Sequence, residues 1–143
     1  MPPFGNFTTK AKEAIKRAHE LAIERGQNHV NQLHLLAALL LQEESMVISV
    51  LDRLEIDTVL LSDVTIESIE SPDTGGTLSP SYQIYLTPEL AHTIEHSAKV
   101  AREMGDEFVS TEHLFLAILD VKGPATEVLA KFKIERGEVM RLI

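Results

Sequence analysis

The sequence predicts an all-α fold: a pseudo-twofold bundle of about eight helices built from two tandem four-helix repeats. Three observations carry this. Apolar residues recur at helical spacing along almost the whole chain. Glycines and small polar capping residues cut that periodicity into pieces of helix length. The stretch from Thr8 to Leu40 is also written again 79 positions later, from Thr87 to Leu119, with ten identities over 33 aligned positions. "SVLDRLEI" at 49–56 and "EVLAKFKI" at 127–134 extend the match at an offset of 78. A solenoid needs three or more units to bury itself, so two copies are expected to pack face to face as a closed globule.

Element by element, Thr8 is the first N-cap, its hydroxyl able to accept from an orphan N–H of the first turn. Ala11, Ile15, Ala18 and Ala22 follow at helical spacing, with Lys10, Lys12, Lys16, Glu20 and Glu24 elsewhere around the cylinder, and Gly26 is the stop. Asn31 caps a short, very apolar helix to about Gln42, and a third helix covers Met46 to Leu54. Asp57 caps a fourth that carries Val59, Leu60, Val64 and Ile66. The segment "SIESPDTGGTLSPSYQIY" then breaks the pattern with prolines, a Gly pair and Ser/Thr residues, and reads as a linker in which "YQIYL" forms a short extended piece. The pattern restarts at Thr87-Pro88-Glu89, which combines a cap, a first-turn proline and an acid at the positive helix end. Leu90, Ile94 and Ala101 give its buried stripe and Gly105 its stop. Ser110 caps "TEHLFLAIL", Gly123-Pro124 opens a helix to about Phe132, and Glu135 to Ile143 is the last. One domain over 1–143 results, with repeat one at about 4–70, the linker at about 71–86 and repeat two at about 87–143.

Composition narrows the function. A chain of 143 residues can bury roughly 70% of the surface that its unfolded form exposes. The net charge of −9 argues against a nucleic-acid binder, which needs a basic footprint. The absence of cysteine removes disulfides, thiolate metal sites and thiol nucleophiles. The opening "MPPFGNFTTKAKEAI" lacks the basic start and apolar run of a secretory signal, and "LHLLAALLL" from Leu33 to Leu41 is shorter than the about 18 residues that span a bilayer. A cytoplasmic protein without membrane contact is the expectation.

No motif for catalysis emerges. "DTGGT", Asp73 to Thr77, is not followed by Gly-Lys-Ser/Thr and does not cradle phosphate. His92 and His96 in "HTIEH" have metal-ligand spacing, but Thr93 stands where a metalloprotease carries its Glu, so a solvated helix face is the reading and neither metal nor cofactor is expected. His34 and His113 hold equivalent places and read as helix-start histidines that are buried or bonded to backbone. At the second helix start, Thr87, Ser110, Thr111 and free N–H groups offer an anion site, and Asp106 or Glu112 offers a guanidinium or ammonium site. Caps plus solvated acids account for the same residues.

"FTTKAKEAIKRAHELAIERGQNHVNQLHLLAALL" and "LTPELAHTIEHSAKVAREMGDEFVSTEHLFLAIL", with the Gly-Gly linker between them, resemble the Clp repeat domain, over Phe4 to Ile143. This is the N-terminal domain of Clp-type AAA+ unfoldases such as ClpB, ClpC and ClpA. The resemblance implies a non-catalytic, eight-helix module that captures unfolded or tagged polypeptide, or an adaptor protein, for the AAA+ motor of its parent chain. It leaves open a stand-alone Clp-repeat protein docking on a Clp protease or unfoldase, and the choice between ClpB-like disaggregation and ClpC-like degradation. From ClpB-like relatives, Thr8, Asp106 and Glu112 carry over as substrate- or adaptor-binding residues. From ClpC-like relatives comes a phosphoarginine pocket in each repeat, with Thr at the repeat start and Glu just before the His. The second repeat matches with Thr87, Ser110, Thr111 and Glu112, whereas the first has Thr8 but Leu33 in place of the Glu.

Overall fold

The computed structural model describes residues 6–69 and 85–143. Its helices are α1 (Thr9–Glu24), α2 (Gln32–Leu41), α3 (Met46–Arg53), α4 (Thr58–Ile69), α5 (Pro88–Glu103), α6 (Thr111–Asp120), α7 (Pro124–Lys131) and α8 (Arg136–Leu142). Two short strands, β1 (His29–Val30) and β2 (Tyr85–Leu86), complete the elements among the described residues. The all-α, twofold-repeated bundle that the sequence predicts is what forms. The caps fall where expected: Thr8 and Thr87 accept from the N–H groups of Ala11 and Leu90 at 3.2 and 3.3 Å, and Asp57 accepts from Leu60 at 3.0 Å. Gly26 and Gly105 end α1 and α5 with φ of +69° and +76°, a region that glycine enters without the cost that a Cβ carries. The "DTGGT" segment, Phe4 and most of the linker lie outside the described residues.

α2 and α6 are the centre. Eight consecutive α2 residues, Leu33 to Leu40, are buried, and α6 buries Leu114 to Ile118 without a break. A helix that is apolar all round has to be covered on every side. α1, α3, α4, α5 and α7 accordingly pack on α2, and α5, α7, α8, α1 and α3 pack on α6. Among the described residues no single helix is long and apolar enough to cross a membrane.

The sequence does not predict how the repeats join. β2, just before α5, pairs in parallel with β1, just before α2, with Val30 opposite Leu86. Thr87 N–H donates to Val30 O at 2.9 Å. Seventy-nine positions earlier the same pairing recurs as a bridge between Phe7 and Val109, with Thr8 N–H donating to Val109 O at 2.8 Å. Each repeat's lead-in is thus held by the other repeat's helix–helix loop. The last two residues assigned to the linker, Tyr85 and Leu86, belong to this pairing.

α4 turns only part of its apolar set inward. Leu61, Thr65 and Ile69 form the buried stripe, Val64 and Ile66 pack at its margin, and Val59 and Leu60 are exposed. With apolar residues on every side of the helix, spacing alone does not pick out the face that turns inward.

His34 and His113 are buried N3 members of matching capping boxes. Asn31 N–H donates to His34 Nδ1 and Ser110 N–H to His113 Nδ1, both at 2.9 Å. A backbone N–H can only donate, so Nδ1 is the acceptor and Nε2 carries the proton. That proton goes to Gln27 Oε1 at 2.6 Å in repeat one and to Asp106 Oδ2 at 2.7 Å in repeat two. Burial, reinforced by His29, Arg25 and His19, pushes His34 down to about 4.

Two predictions concern stability. His34 is depressed in the folded state, so its contribution is complete above the unfolded value of 6.5 and is lost as pH falls from 6.5 towards 4. A loss on the order of 3 kcal/mol over that window is expected in urea titrations, and His34→Gln, which can still accept at Oε1 but does not titrate, should flatten it. The second concerns Gly123, where an added Cβ would lie 2.4 Å from Gln32 Oε1. The Gln32 amide is buried and held by Thr93 Oγ1 and Val121 O, so it cannot retreat. Gly123→Ala should therefore cost about 1–3 kcal/mol, whereas Gly137→Ala in open helical space should stabilise by about 0.5–1 kcal/mol, both read from thermal melts.

Candidate functional site

The start of α6 gathers most of the residues singled out in the sequence. The Thr8–Val109 hydrogen bond docks the first residue of one repeat against the residue preceding Ser110 in the other. Ser110 is the N-cap of α6, Thr111 its first residue and buried, and Glu112 its half-buried first-turn acid. Asp106 lies on the approach loop, its carboxylate 47% exposed while one oxygen accepts from His113 Nε2. Thr8 accepts from Ala11 N–H at 3.2 Å, and a hydroxyl that accepts can still give its proton to a ligand. At one edge there are thus a helix N-terminus and the Thr8 hydroxyl, suited to negative or carbonyl groups, beside two carboxylates suited to cations. The Ser110 hydroxyl proton goes to His113 Nδ1 at 3.1 Å.

Thr87 is not part of that cluster. It is bonded to Val30 and therefore stands at the start of α2, near Leu33. α5 has 16 residues and is about 24 Å long, and its first turns face the far end of α6. There Glu89 and His92 share an open cavity of about 400 Å³ with Asp120 and Lys122. His96 Nε2 meets Asp120 Oδ2 at 2.9 Å, and Asp120 Oδ1 accepts from Arg136 Nε at 2.6 Å. Among the described residues no group of three or more His, Cys, Asp or Glu side chains is placed to hold a metal ion.

The pairing read along the sequence, Thr87 with Glu112, is therefore regrouped. Strand exchange couples Thr8 to the α6 start with Glu112, and Thr87 to the α2 start with Leu33. Leu33 is fully buried and Glu112 half-buried, so the two helix starts differ in packing as well as charge.

The sequence reading missed two features. Phe108, between the Asp106–Glu107 acids and buried Val109, is 54% exposed. Extended backbone alternates its faces, so a buried Val109 turns its neighbour outward; the first repeat carries His29 there, and that difference was the available signal. The second is an open cavity of about 520 Å³ beginning two residues beyond Thr8, lined by Lys10, Glu13, Arg17, Gln42 and Glu43 among others. Gln42 Nε2 donates to Lys10 O at 2.9 Å, and Lys10 Nζ reaches Glu43 O, tying the end of α2 to the start of α1.

The Clp repeat (R) N-terminal domain family matches residues 6–132. Chaperone protein ClpB of Bacteroides thetaiotaomicron is 32% identical over 129 residues, which cover 88% of this chain and 14% of that protein. Chaperone protein ClpB of Bacillus anthracis is 26% identical over 136 residues, covering 94% of this chain and 16% of that protein. The chain thus spans about one-sixth of the length of these relatives. Among solved structures, the Hsp104 N-terminal domain from Candida albicans superposes with a TM-score of 0.82 at 17% identity, covering 96% of this chain and 88% of that one. The ClpV N-domain in complex with a VipB peptide gives 0.76 at 20% identity, covering 96% and 84%. The chain belongs to the Clp repeat N-terminal domain family.

Proposed function

We propose that the chain is a non-catalytic recognition domain that captures exposed polypeptide, or an adaptor protein, for a Clp-type AAA+ motor in the same parent protein. The observation that carries this reading is the edge at the start of α6, where exposed Phe108 lies among Asp106, Glu107 and Glu112 beside Thr8. An aromatic with an acidic rim suits chain segments that mix basic residues with the apolar ones that folding normally buries. Backbone carbonyls of such a segment can accept from the Thr8 hydroxyl, while the Ser110 hydroxyl gives its proton to His113 Nδ1 at 3.1 Å. Asp106 also holds His113, so it shapes the loop as well as offering its second oxygen. Each contact is half-exposed and worth only about 0.2–1 kcal/mol, which gives the weak, reversible capture that onward transfer needs. The ClpV N-domain, a relative by fold, is known in complex with a peptide, which is compatible with capture by this module.

A phosphoarginine mark is a second reading, supported by the Thr8–Val109 bond. Glu112 would take the guanidinium, and the α6 N–H groups with the Thr8 hydroxyl would take the phosphate. The crossed arrangement makes Thr8 the relevant hydroxyl in place of Thr87, and leaves one complete pocket because Leu33 cannot pair with a guanidinium.

Titration of the labelled domain with a permanently unfolded polypeptide, followed by NMR, tests the first reading. Shifts should cluster at Thr8, Asp106, Phe108 and Glu112. Thr8→Ala, Glu112→Ala and Phe108→Ser should each weaken binding about 3- to 10-fold. Melting temperatures should be unchanged for the Glu112 and Phe108 variants and lowered by the loss of about 1 kcal/mol of N-cap stability for Thr8→Ala, which stays folded. Unchanged affinity in all three would remove this edge from the mechanism. For the second reading, a phosphoarginine peptide is compared with its plain arginine form. Glu112→Ala and Thr8→Ala should erase the preference and Thr87→Ala should leave it intact.

A further inference from the structure

The two repeats serve as each other's control. From α3 onward, residues of the first copy correspond to those of the second at an offset of 78, as the left-handed residues Glu55 and Lys133 after α3 and α7 attest, with φ of +62° and +58°. The end of α2 with the start of α4 therefore matches the end of α6 with the start of α8. In the second copy this surface is closed by polar groups: Arg136 donates to Asp120 at 2.6 Å, and the Thr126 hydroxyl reaches Ile118 O and Val121 O at 2.7 and 2.8 Å. The first copy has Leu41 in place of Asp120, Ile48 in place of Thr126, Thr58 in place of Arg136 and Val59 in place of Gly137.

These exchanges leave an apolar surface in the open. Leu41 is 47% and Val59 71% exposed. They line a groove of about 330 Å³ whose floor includes Leu40 and Ile48 and whose rim includes Ser62 and Asp63. Met46 and Leu60, also exposed, start α3 and continue α4. The surroundings are acidic: Glu43, Glu44, Asp57 and Asp63 are exposed, and from Leu41 to Ile69 the chain has seven acids and one base. Lys10 approaches from α1, but its ammonium is against the Glu43 carbonyl.

We propose that this groove, between the end of α2 and the start of α4, docks a basic amphipathic helix of a partner protein. The apolar stripe of that helix lies on Leu41, Ile48 and Val59, and its Lys or Arg flanks meet Asp63 on the rim and Asp57 beside Thr58. The groove is walled by α2, α3 and α4 and has no strand edge among its lining residues, so it takes a helix by side-chain packing and not a strand by backbone pairing. The acidic rim selects positive partners and repels anionic lipid and nucleic acid. The groove shares no lining residue with the α6 edge, and the inference does not rest on capture there.

The test uses the whole chain and, as probe, an amphipathic Leu/Lys helix of about five turns, with a Leu/Glu helix of the same length as control. Binding of the Leu/Lys helix should shift the amides of Leu41, Ile48, Val59 and Asp63. The double variant Leu41→Asp/Thr58→Arg copies the ion pair of the second repeat onto the first and should lower affinity at least about tenfold with the fold retained. Val59→Asp, at a more exposed position, provides an independent reading and should also weaken binding. Equal binding of the Leu/Glu helix, shifts elsewhere, or undiminished affinity in both variants would overturn the proposal. So would concentration-dependent shifts of these residues without peptide, abolished by the double variant, since they would assign the face to a second copy of the chain.

Discussion

Everything in this fold depends on a reciprocal backbone pairing. The residue before α1 hydrogen-bonds to the loop before α6, and the residue before α5 to the loop before α2, at 2.8 and 2.9 Å. The pairs are parallel, and parallel strands cannot be joined by a tight turn; long helical connections must intervene. Among the described residues, three helices lie between the partners of one pair and five between those of the other. Neither repeat satisfies its own lead-in, so the two copies are interlocked and not merely apposed. The same bonds bring Thr8 to Glu112 and Thr87 to Leu33, so the composition of each surface edge follows from the interlock.

A buried imidazole then fixes each helix start. His34 and His113 accept a backbone proton at Nδ1 and donate from Nε2, an arrangement only the neutral ring can satisfy on both sides. The partner of Nε2 differs, an amide in Gln27 and a carboxylate in Asp106. A neutral partner suits the closed first site, where Leu33 is fully buried. A carboxylate with its second oxygen towards solvent adds charge to the open second site. The duplicated geometry is thus conserved between the copies while its chemistry is not.

Divergence runs in opposite directions at the two ends of each repeat's central helix. Copy two keeps polar, acidic chemistry at its central helix start and seals the far end with the Asp120–Arg136 pair. Copy one packs its helix start with Leu33 and leaves Leu41 and Val59 open at the far end. Half-exposed ion pairs contribute little to stability. Their presence or absence therefore decides what a surface will accept more than whether the domain folds.

The amino-acid sequence by itself determined the helices, their caps and the buried histidines. Each of these is local: Thr8, Asn31, Asp57 and Thr87 bond to amides two or three residues away, and Gly26 and Gly105 supply the left-handed turn at the chain position where it is needed. The repeat offset was equally legible, because it is a property of the text. Tertiary structure alone decided which repeat's threonine meets which repeat's acid. That pairing is made by main-chain N–H and C=O groups, which almost every residue carries, so it leaves no side-chain signature. Tertiary structure also chose the inward face of α4, whose apolar residues surround the helix; the position of α2, α3 and α7 against it buried Leu61 and left Val59 to solvent.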